Sequence, residues 1–222
     1  MNKKVPQDAI FRLSFYLRAL KNFEEKNINV VSSKQLADFL KINHHQLRKD
    51  LSYFGHFGKK GVGYSCSILI DKIKKILGLD KVWSAAVIGF GNLGRALSFY
   101  KGFKEQGVYI KVAFDIDIKK INKEYGGIKV YSVDLLEKII KKEDIQIAII
   151  TVPKEYAQEI AYRLSKCKIK AILNFAPINL VIPGKILIQN VDFGCQLAYL
   201  TYHLKLLESD YIEILREDNP IA

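Results

Sequence analysis

Ser84-Ala85-Ala86-Val87-Ile88-Gly89-Phe90-Gly91-Asn92-Leu93-Gly94-Arg95-Ala96-Leu97-Ser98-Phe99-Tyr100 is the stretch on which the fold turns. It opens as a short apolar run typical of a buried strand, passes into Gly-x-Gly-x-x-Gly, and continues at helical spacing. The triplet of glycines alone is weak evidence. A strand before it and a helix behind it make it the start of a βαβ unit of a dinucleotide-binding, Rossmann-type sheet. Each position then has a physical task. Gly89 permits the turn, and Gly91 lets a pyrophosphate approach the backbone and the helix N-terminus. Gly94 lets helix and strand pack closely, with Phe90, Asn92 and Leu93 carried in the same loop. The next apolar run, Tyr109-Ile110-Lys111-Val112-Ala113-Phe114, ends in Asp115, 21 residues past Gly94. A carboxylate there accepts hydrogen bonds from the adenine-ribose hydroxyls and repels a 2′-phosphate, which favours NAD+ and NADH. The competing reading is a glycine-rich turn in an α/β domain without cofactor.

Further strands are expected over residues 145–152, 170–175 and 186–191. In a parallel sheet of this type ligands bind beyond the carboxyl ends of the strands. That places Thr151, Val152 and Pro153, then Asn174, Phe175, Ala176 and Pro177, and with them Asp192 and Phe193, around the nicotinamide. Pro153 and Pro177 either shape that site or simply end their strands.

Working outward, the chain has 222 residues, 49% of them apolar and 26% charged, enough for one large or two modest cored domains. The pattern changes character near residue 80, with helical spacing before it and short β-branched runs after it. The net charge of +12 is also uneven: residues 1–82 carry 16 Lys and Arg against 7 Asp and Glu. Such a basic block suits nucleic acid, an acidic membrane surface, or merely a solvated face. Within it, Ser32 followed three places later by Gln35 is a capping-box pattern that opens a helix running to about Leu40. After Lys41-Ile42-Asn43 a second helix begins, again with a cap residue, Asn43, three before a Gln. Two short helices joined by a three- or four-residue turn form a helix-turn-helix, whose second helix enters the major groove. His44, His45, Gln46, Arg48, Lys49 and Ser52 would lie on its outer side, while Leu47, Leu51 and Phe54 make the buried stripe. Phe57-Gly58-Lys59-Lys60-Gly61-Val62-Gly63-Tyr64 then reads as a tight hairpin, a basic wing with Lys59, Lys60 and Gly61 at its tip. The alternative is a small helical domain with a charged outer face.

Other chemistries are poorly served. Cys66, Cys167 and Cys195 lie far apart without metal-ligand spacing, so neither a disulfide framework nor a zinc site is expected, and a reducing cytoplasm fits best. His44 and His45 are neighbours about 100° apart on a helix with no acidic or Cys partner on that face, and no metal is expected. No run approaches the ~18 apolar residues of a membrane span, and the N-terminus lacks the apolar core of an export signal. A dehydrogenase needs a proton donor or acceptor beside the nicotinamide. None of the four histidines falls there. Tyr-x-x-x-Lys pairs occur, among them Tyr162/Lys166 on an expected helix and Tyr125/Lys129 in a Gly-Gly loop, so an NAD-dependent oxidoreductase with an accessory basic domain stays the alternative to a non-enzymatic sensor without catalytic residues.

At these residues the chain resembles the Rex family of bacterial redox-sensing transcriptional repressors. The blocks that carry the resemblance are Arg12–Arg18, Val31-Ser32-Ser33, Leu47–Gly55 (LRKDLSYFG), Lys60–Tyr64, the Gly89–Arg95 loop, Phe114-Asp115, Thr151-Val152-Pro153, Ala157-Gln158, Ile172–Pro177 (ILNFAP) and Val191-Asp192, spread over about residues 5–205. The resemblance implies a cytoplasmic homodimer that binds a palindromic operator when free or NAD+-bound and is released by NADH. It implies a winged-helix domain over 1–80, a Rossmann domain over 81–194, and a C-terminal helix over about Gln196–Arg216, within residues 195–222, exchanged between subunits through Leu197, Leu200, Leu204 and Leu207. An ordinary terminal helix packed on its own domain fits that spacing equally well. The resemblance also implies a switch in which Asp192 pairs with Arg12 in the DNA-competent form and with Tyr100 across the dimer when NADH is bound, with Phe193 beside it. Two departures stand out: His56 replaces a usual acidic residue, and Phe193-Gly194-Cys195 a more polar stretch. Cys195 is either a thiol sensor or a small buried hydrophobe.

Overall fold

The structure, a computed structural model, describes residues 5–59 and 61–217, with side chains described as far as residue 208. It divides into two compact units, residues 1–82 and 83–222.

The first unit is built from α1 (Gln7–Glu25), β1 (Val30–Val31), α2 (Ser33–Leu40), α3 (His44–Ser52), β2 (Tyr64–Ser65) and α4 (Cys66–Leu77). Its core gathers one face of each helix, among them Leu13, Leu20, Leu36, Leu47, Leu69 and Ile73, all essentially inaccessible to water. The capping box forms as expected: Ser32 Oγ accepts from the Gln35 N–H, and Gln35 Oε1 accepts from the Ser32 N–H. Such a cap is worth about 1 kcal/mol. At the next helix the pattern differs. Asn43 Oδ1 caps α3 by accepting from the His45 N–H at 2.8 Å, but Gln46 does not reach back. Its amide nitrogen instead donates to Asp50 at 2.8 Å, a hydrogen bond to a carboxylate.

The wing is tight at its tip, where Lys59 and Gly63 exchange backbone hydrogen bonds. Its descending arm, however, pairs not with residues 57–58 but with the strand ahead of α2, Val31 opposite Tyr64. Gly63, at φ +109°, makes this possible, since a Cβ there would stand 2.5 Å from the Val31 carbonyl oxygen.

The second unit runs β3 (Trp83–Ile88), α5 (Asn92–Ser98), α6 (Lys101–Glu105), β4 (Val108–Asp115), β5 (Glu124–Tyr125), β6 (Ile128–Ser132), α7 (Leu136–Lys142), β7 (Ile147–Ile150), α8 (Lys154–Ser165), β8 (Ala171–Asn174), β9 (Leu187–Asn190) and α9 (Phe193–Glu217). The seven strands order as β5-β6-β4-β3-β7-β8-β9, parallel except for β5. Without the β5 edge this is the doubly wound order of a dinucleotide-binding sheet. The sheet is covered on both faces, which explains the unbroken apolar strands. Ala86 and Ile88 enter one cluster with Phe114 and Ile150, and Val87 enters the other with Phe90 and Ile149. The direction of winding reverses at β3, between β4 and β7, and the crevice beyond their carboxyl ends is where a ligand belongs.

Candidate functional site: a basic helix face and a glycine-lined cleft

On the first unit α3 exposes His45, Arg48, Lys49 and Ser52 and half-exposes His44 and Gln46, while Leu47 and Leu51 are buried and Phe54 packs against the same core. Arg48 Nη2 lies 3.1 Å from His45 Nδ1, and the His44 and His45 rings stack at 4.2 Å. Ser52 Oγ returns a hydrogen bond to the Lys49 carbonyl. Between α3 and the wing runs a groove of about 480 Å³ whose lining includes Arg48, Ser52, His56, Lys59 and Gly61 together with Ser32 and Ser33. Lys60, expected at the wing tip, lies outside the described residues. The arrangement offers cations and hydroxyls on one convex helix and one protruding turn, which is the chemistry of a phosphate-lined groove.

Beneath that face is a group sequence reasoning missed. Asp50 is fully buried, yet its surroundings favour the ionised form. Burial alone would raise its pKa, but hydrogen bonds from Arg12, Tyr16 and Gln46 outweigh this and hold it below the usual carboxylate range. Arg12 donates through Nε (2.6 Å) and Nη2 (2.9 Å), Tyr16 through its hydroxyl (2.6 Å), and Gln46 through Nε2 (2.8 Å). The same contacts raise the pKa of Arg12, and burial followed by Asp50 raises that of Tyr16.

On the second unit a cleft of about 390 Å³ opens at the carboxyl ends of β3, β4 and β7. Gly89 sits at φ +94° with the Thr151 backbone and Val152 so close that a Cβ would meet them at 2.9–3.0 Å. A Cβ on Gly94 would collide with the Gly89 carbonyl and stand 2.7 Å from Thr151 Oγ1, which itself hydrogen-bonds that carbonyl. Gly91 is the opposite case. It caps α5 without a side-chain bond, and a Cβ there would meet no protein atom within 4 Å. The open space in front of Gly91, bounded by uncapped N–H groups, is a cradle for a phosphate. Asn92 and Leu93 are exposed in the first turn of α5, whereas Phe90 points into the core.

Asp115 lies at the rim of the cleft, 7% exposed, and is more occupied than its expected role suggests. It accepts from the Phe90 N–H (2.8 Å), the Asp117 N–H (2.8 Å) and Lys120 Nζ (3.1 Å), so it also clamps the glycine loop. The remaining wall was not legible from spacing. Ile116, Val133 and Tyr156 provide apolar surface fit for a base. Arg163 is held at the edge by both carboxylate oxygens of Glu137 and by the Val133 carbonyl. Ile116 carried the one usable signal, an isoleucine directly after the strand-ending acid.

The residues expected around the nicotinamide divide. Thr151, Val152 and Pro153 line the cleft, and Phe175 meets Phe193 at 5.9 Å between ring centroids. Asn174 is fully buried and its side chain is saturated by the Ala176 N–H, the Ala176 and Ile178 carbonyls and Asn190. It therefore shapes the loop carrying Ala176 and Pro177, and its amide nitrogen is not free for a ligand. Asp192 is exposed and caps α9, accepting from the Gly194 and Cys195 N–H groups. Tyr100 is exposed and sets its edge against Phe103. Cys195 is exposed rather than buried, and the neighbouring Asp192 pushes its thiol pKa up. Tyr162 and Lys166 stack on one another on the exposed side of α8 and do not line the cleft. Tyr125 and Lys129 fall on the two strands of the β5–β6 hairpin. Among the described residues no cluster of metal-binding side chains occurs, and no helix is long and apolar enough to cross a membrane.

Comparison with known proteins agrees with both halves of this geometry. Residues 80–178 match the CoA binding domain family, and residues 4–52 match the family described as "Putative DNA-binding protein N-terminus". The redox-sensing transcriptional repressor Rex of Carboxydothermus hydrogenoformans is 45% identical over 202 residues, covering 91% of this chain and 97% of that protein. RSP, a Rex-family repressor, superposes in its crystal structure with β-NAD+ and operator DNA at a TM-score of 0.88, with 34% identity over 98% of this chain and 99% of its own. In its complex with β-NADH the TM-score is 0.84, with 33% identity over 96% and 99%. At this identity over nearly the whole length, the chain belongs to the Rex family of redox-sensing transcriptional repressors.

Proposed function

We propose that this chain is a repressor that reads the NADH/NAD+ ratio, binding a palindromic operator as a homodimer when free or NAD+-bound and leaving it when NADH binds. The observation that carries the reading is the pairing, in one chain, of a basic α3-and-wing face with a cleft whose Gly91 side is left open for a pyrophosphate. Its relative RSP has been crystallised with β-NAD+ and operator DNA and with β-NADH.

Arg48, Lys49, Lys59 and Lys60 neutralise phosphates, and the N-terminal side of α3, with His44, His45 and Gln46, approaches base edges, while Ser52 adds a hydroxyl at the other end of the helix. In the second unit the Gly89–Gly94 loop holds the pyrophosphate, Asp115 the adenine ribose, and Thr151, Pro153, Pro177 and Phe175 with Phe193 surround the nicotinamide. NADH and NAD+ differ there by one ring charge and by ring planarity, so the protein must couple that difference to two arrangements of its domains. In this reading Asp192, exposed beside Phe193, exchanges Arg12 for Tyr100 of the partner subunit, and Arg12 must give up or share its present partner Asp50 to take part. The four leucines Leu197, Leu200, Leu204 and Leu207 of α9 are each more than half exposed, which supports their being covered by a second copy. The reading is of binding rather than catalysis, and the Tyr162/Lys166 pair, which stands outside the cleft, supports it. The test is fluorescence anisotropy of a labelled Rex-type palindromic duplex. Release by NADH and not by NAD+ is expected; tight binding indifferent to both overturns the reading.

A further inference from the structure

Gln46 and Asp50 stand one turn apart on the same side of α3, and the geometry of their contact is directional. Gln46 Nε2 donates to Asp50 Oδ1 at 2.8 Å, and among the described residues Gln46 Oε1 makes no hydrogen bond. Asp50 in turn cannot rotate. Its Oδ1 also receives Arg12 Nη2, and its Oδ2 receives Arg12 Nε and the Tyr16 hydroxyl, both from α1. Every partner of this carboxylate is a donor, and an ionised carboxylate only accepts, so the orientation of each amide and hydroxyl around it is determined.

We propose that Asp50 is a positioning residue for operator reading: it holds the Gln46 side chain with Nε2 inward and Oε1 outward, so that α3 offers one pre-oriented acceptor to a base. A free glutamine reads adenine with both ends of its amide. Gln46, tethered through its nitrogen, favours a single major-groove donor, the N4 amino group of cytosine or the N6 amino group of adenine. The tether also removes much of the side-chain entropy lost on binding. Asp50 touches no DNA in this account; it acts through Gln46. The inference rests on the reading of α3 as the recognition helix.

The test uses the full chain with a labelled palindromic duplex and a scrambled duplex of equal length, at fixed salt and well below the melting temperature of each variant. Asp50→Asn puts an amide N–H₂ among the donors, which turns Gln46 over or releases it. The expected result is about a tenfold fall in the ratio of operator to scrambled affinity, with scrambled affinity changed less than about twofold, because phosphate contacts are intact. Gln46→Met, a half-exposed and nearly isosteric change, is expected to lose the same factor. The double variant is expected to lose no more than either alone. Equal losses on both duplexes, additive losses in the double variant, or unchanged discrimination by Gln46→Met each overturn the proposal. Should Asp50→Asn not fold, Tyr16→Phe, which loosens Asp50 without touching Gln46, replaces it in the same comparison, and unchanged discrimination by Gln46→Met still overturns the proposal. Wild-type protein that fails to distinguish the two duplexes overturns the recognition-helix reading beneath it as well.

Discussion

Gly91→Ala separates nucleotide binding from folding more cleanly than any other single change in this protein. The added Cβ meets no protein atom within 4 Å, and Gly91 has an ordinary extended conformation at φ −76° and ψ −164°, so no strain is introduced. Replacing Gly by Ala at a helix N-cap costs up to ~1 kcal/mol, and restricting the unfolded chain returns ~0.4–1 kcal/mol. The two nearly cancel, and a shift in melting temperature within about 3 °C is expected. The methyl group instead fills the space in front of the α5 N-terminus where the pyrophosphate would lie. Overpacking a close contact costs ~1–3 kcal/mol, or about 5- to 150-fold in affinity. NADH fluorescence titration should therefore show a weakened Kd, while operator anisotropy without nucleotide stays as in wild type and resists added NADH. An unchanged NADH Kd in a folded Gly91→Ala protein would refute the placement of the pyrophosphate. Gly94→Ala is the control, since its Cβ would collide with the Gly89 carbonyl and lower stability itself.

Asp115→Ala should weaken NADH and NAD+ together and also lower the melting temperature, because it orphans the buried Phe90 N–H at a cost of ~1–3 kcal/mol; loss of discrimination without loss of affinity would contradict the role given to it. Arg48→Ala and Lys49→Ala should each weaken operator binding and reduce the slope of log K against log salt by about 1, with NADH affinity intact by isothermal calorimetry. His44 titrates below the usual histidine range, first through desolvation and then through repulsion by His45 and Arg48 on α3; the opposing pull of Asp38 is smaller than these, and Lys34, like Asp38 on α2, adds the least. Free His44 is thus neutral near pH 7, and phosphates brought beside it favour its protonated form. Operator affinity should rise as pH falls from about 8 to 6, with the salt slope steepening by up to ~0.9 per proton taken up; His44→Gln should flatten the profile, and weaker binding on acidification would contradict the sign. Asp50, held below the usual carboxylate range, adds stability that is present above the unfolded carboxylate pKa and is lost as pH falls through its folded value. Acid unfolding followed by circular dichroism should begin at higher pH in Tyr16→Phe, which removes one of the donors.

What could be read from the chain alone were features whose cause is local. The Gly89–Gly94 loop, Asp115 at the strand end and the Ser32/Gln35 box each depend on residues within a few positions, or on one strand-to-strand step, and the backbone realises them as expected. Missed were features made by long-range contact. Asp50 is explicable only with Arg12 and Tyr16, 38 and 34 positions away, and its pull on Gln46 is why the second capping box does not form. Asn174 looks like a ligand-facing polar residue at a strand end until the returning Ile178 carbonyl and Asn190 close around it. β6 was legible in principle, since Ile128-Lys129-Val130-Tyr131-Ser132 carries the alternation of a half-buried strand, but the apolar cleft wall of Ile116 and Tyr156 was not, because isolated exposed hydrophobics carry no periodic signal.

The central claim is that the two units are coupled in free energy, and the reciprocity of linkage tests it most directly. NADH affinity measured by fluorescence on the free protein and on the protein saturated with operator duplex must differ by the same factor by which NADH weakens the operator, about 5- to 150-fold for typical couplings. Equal factors in the two directions are predicted. An NADH affinity unaffected by bound operator would contradict the account, leaving a DNA-binding unit and a nucleotide-binding unit that share a chain without communicating.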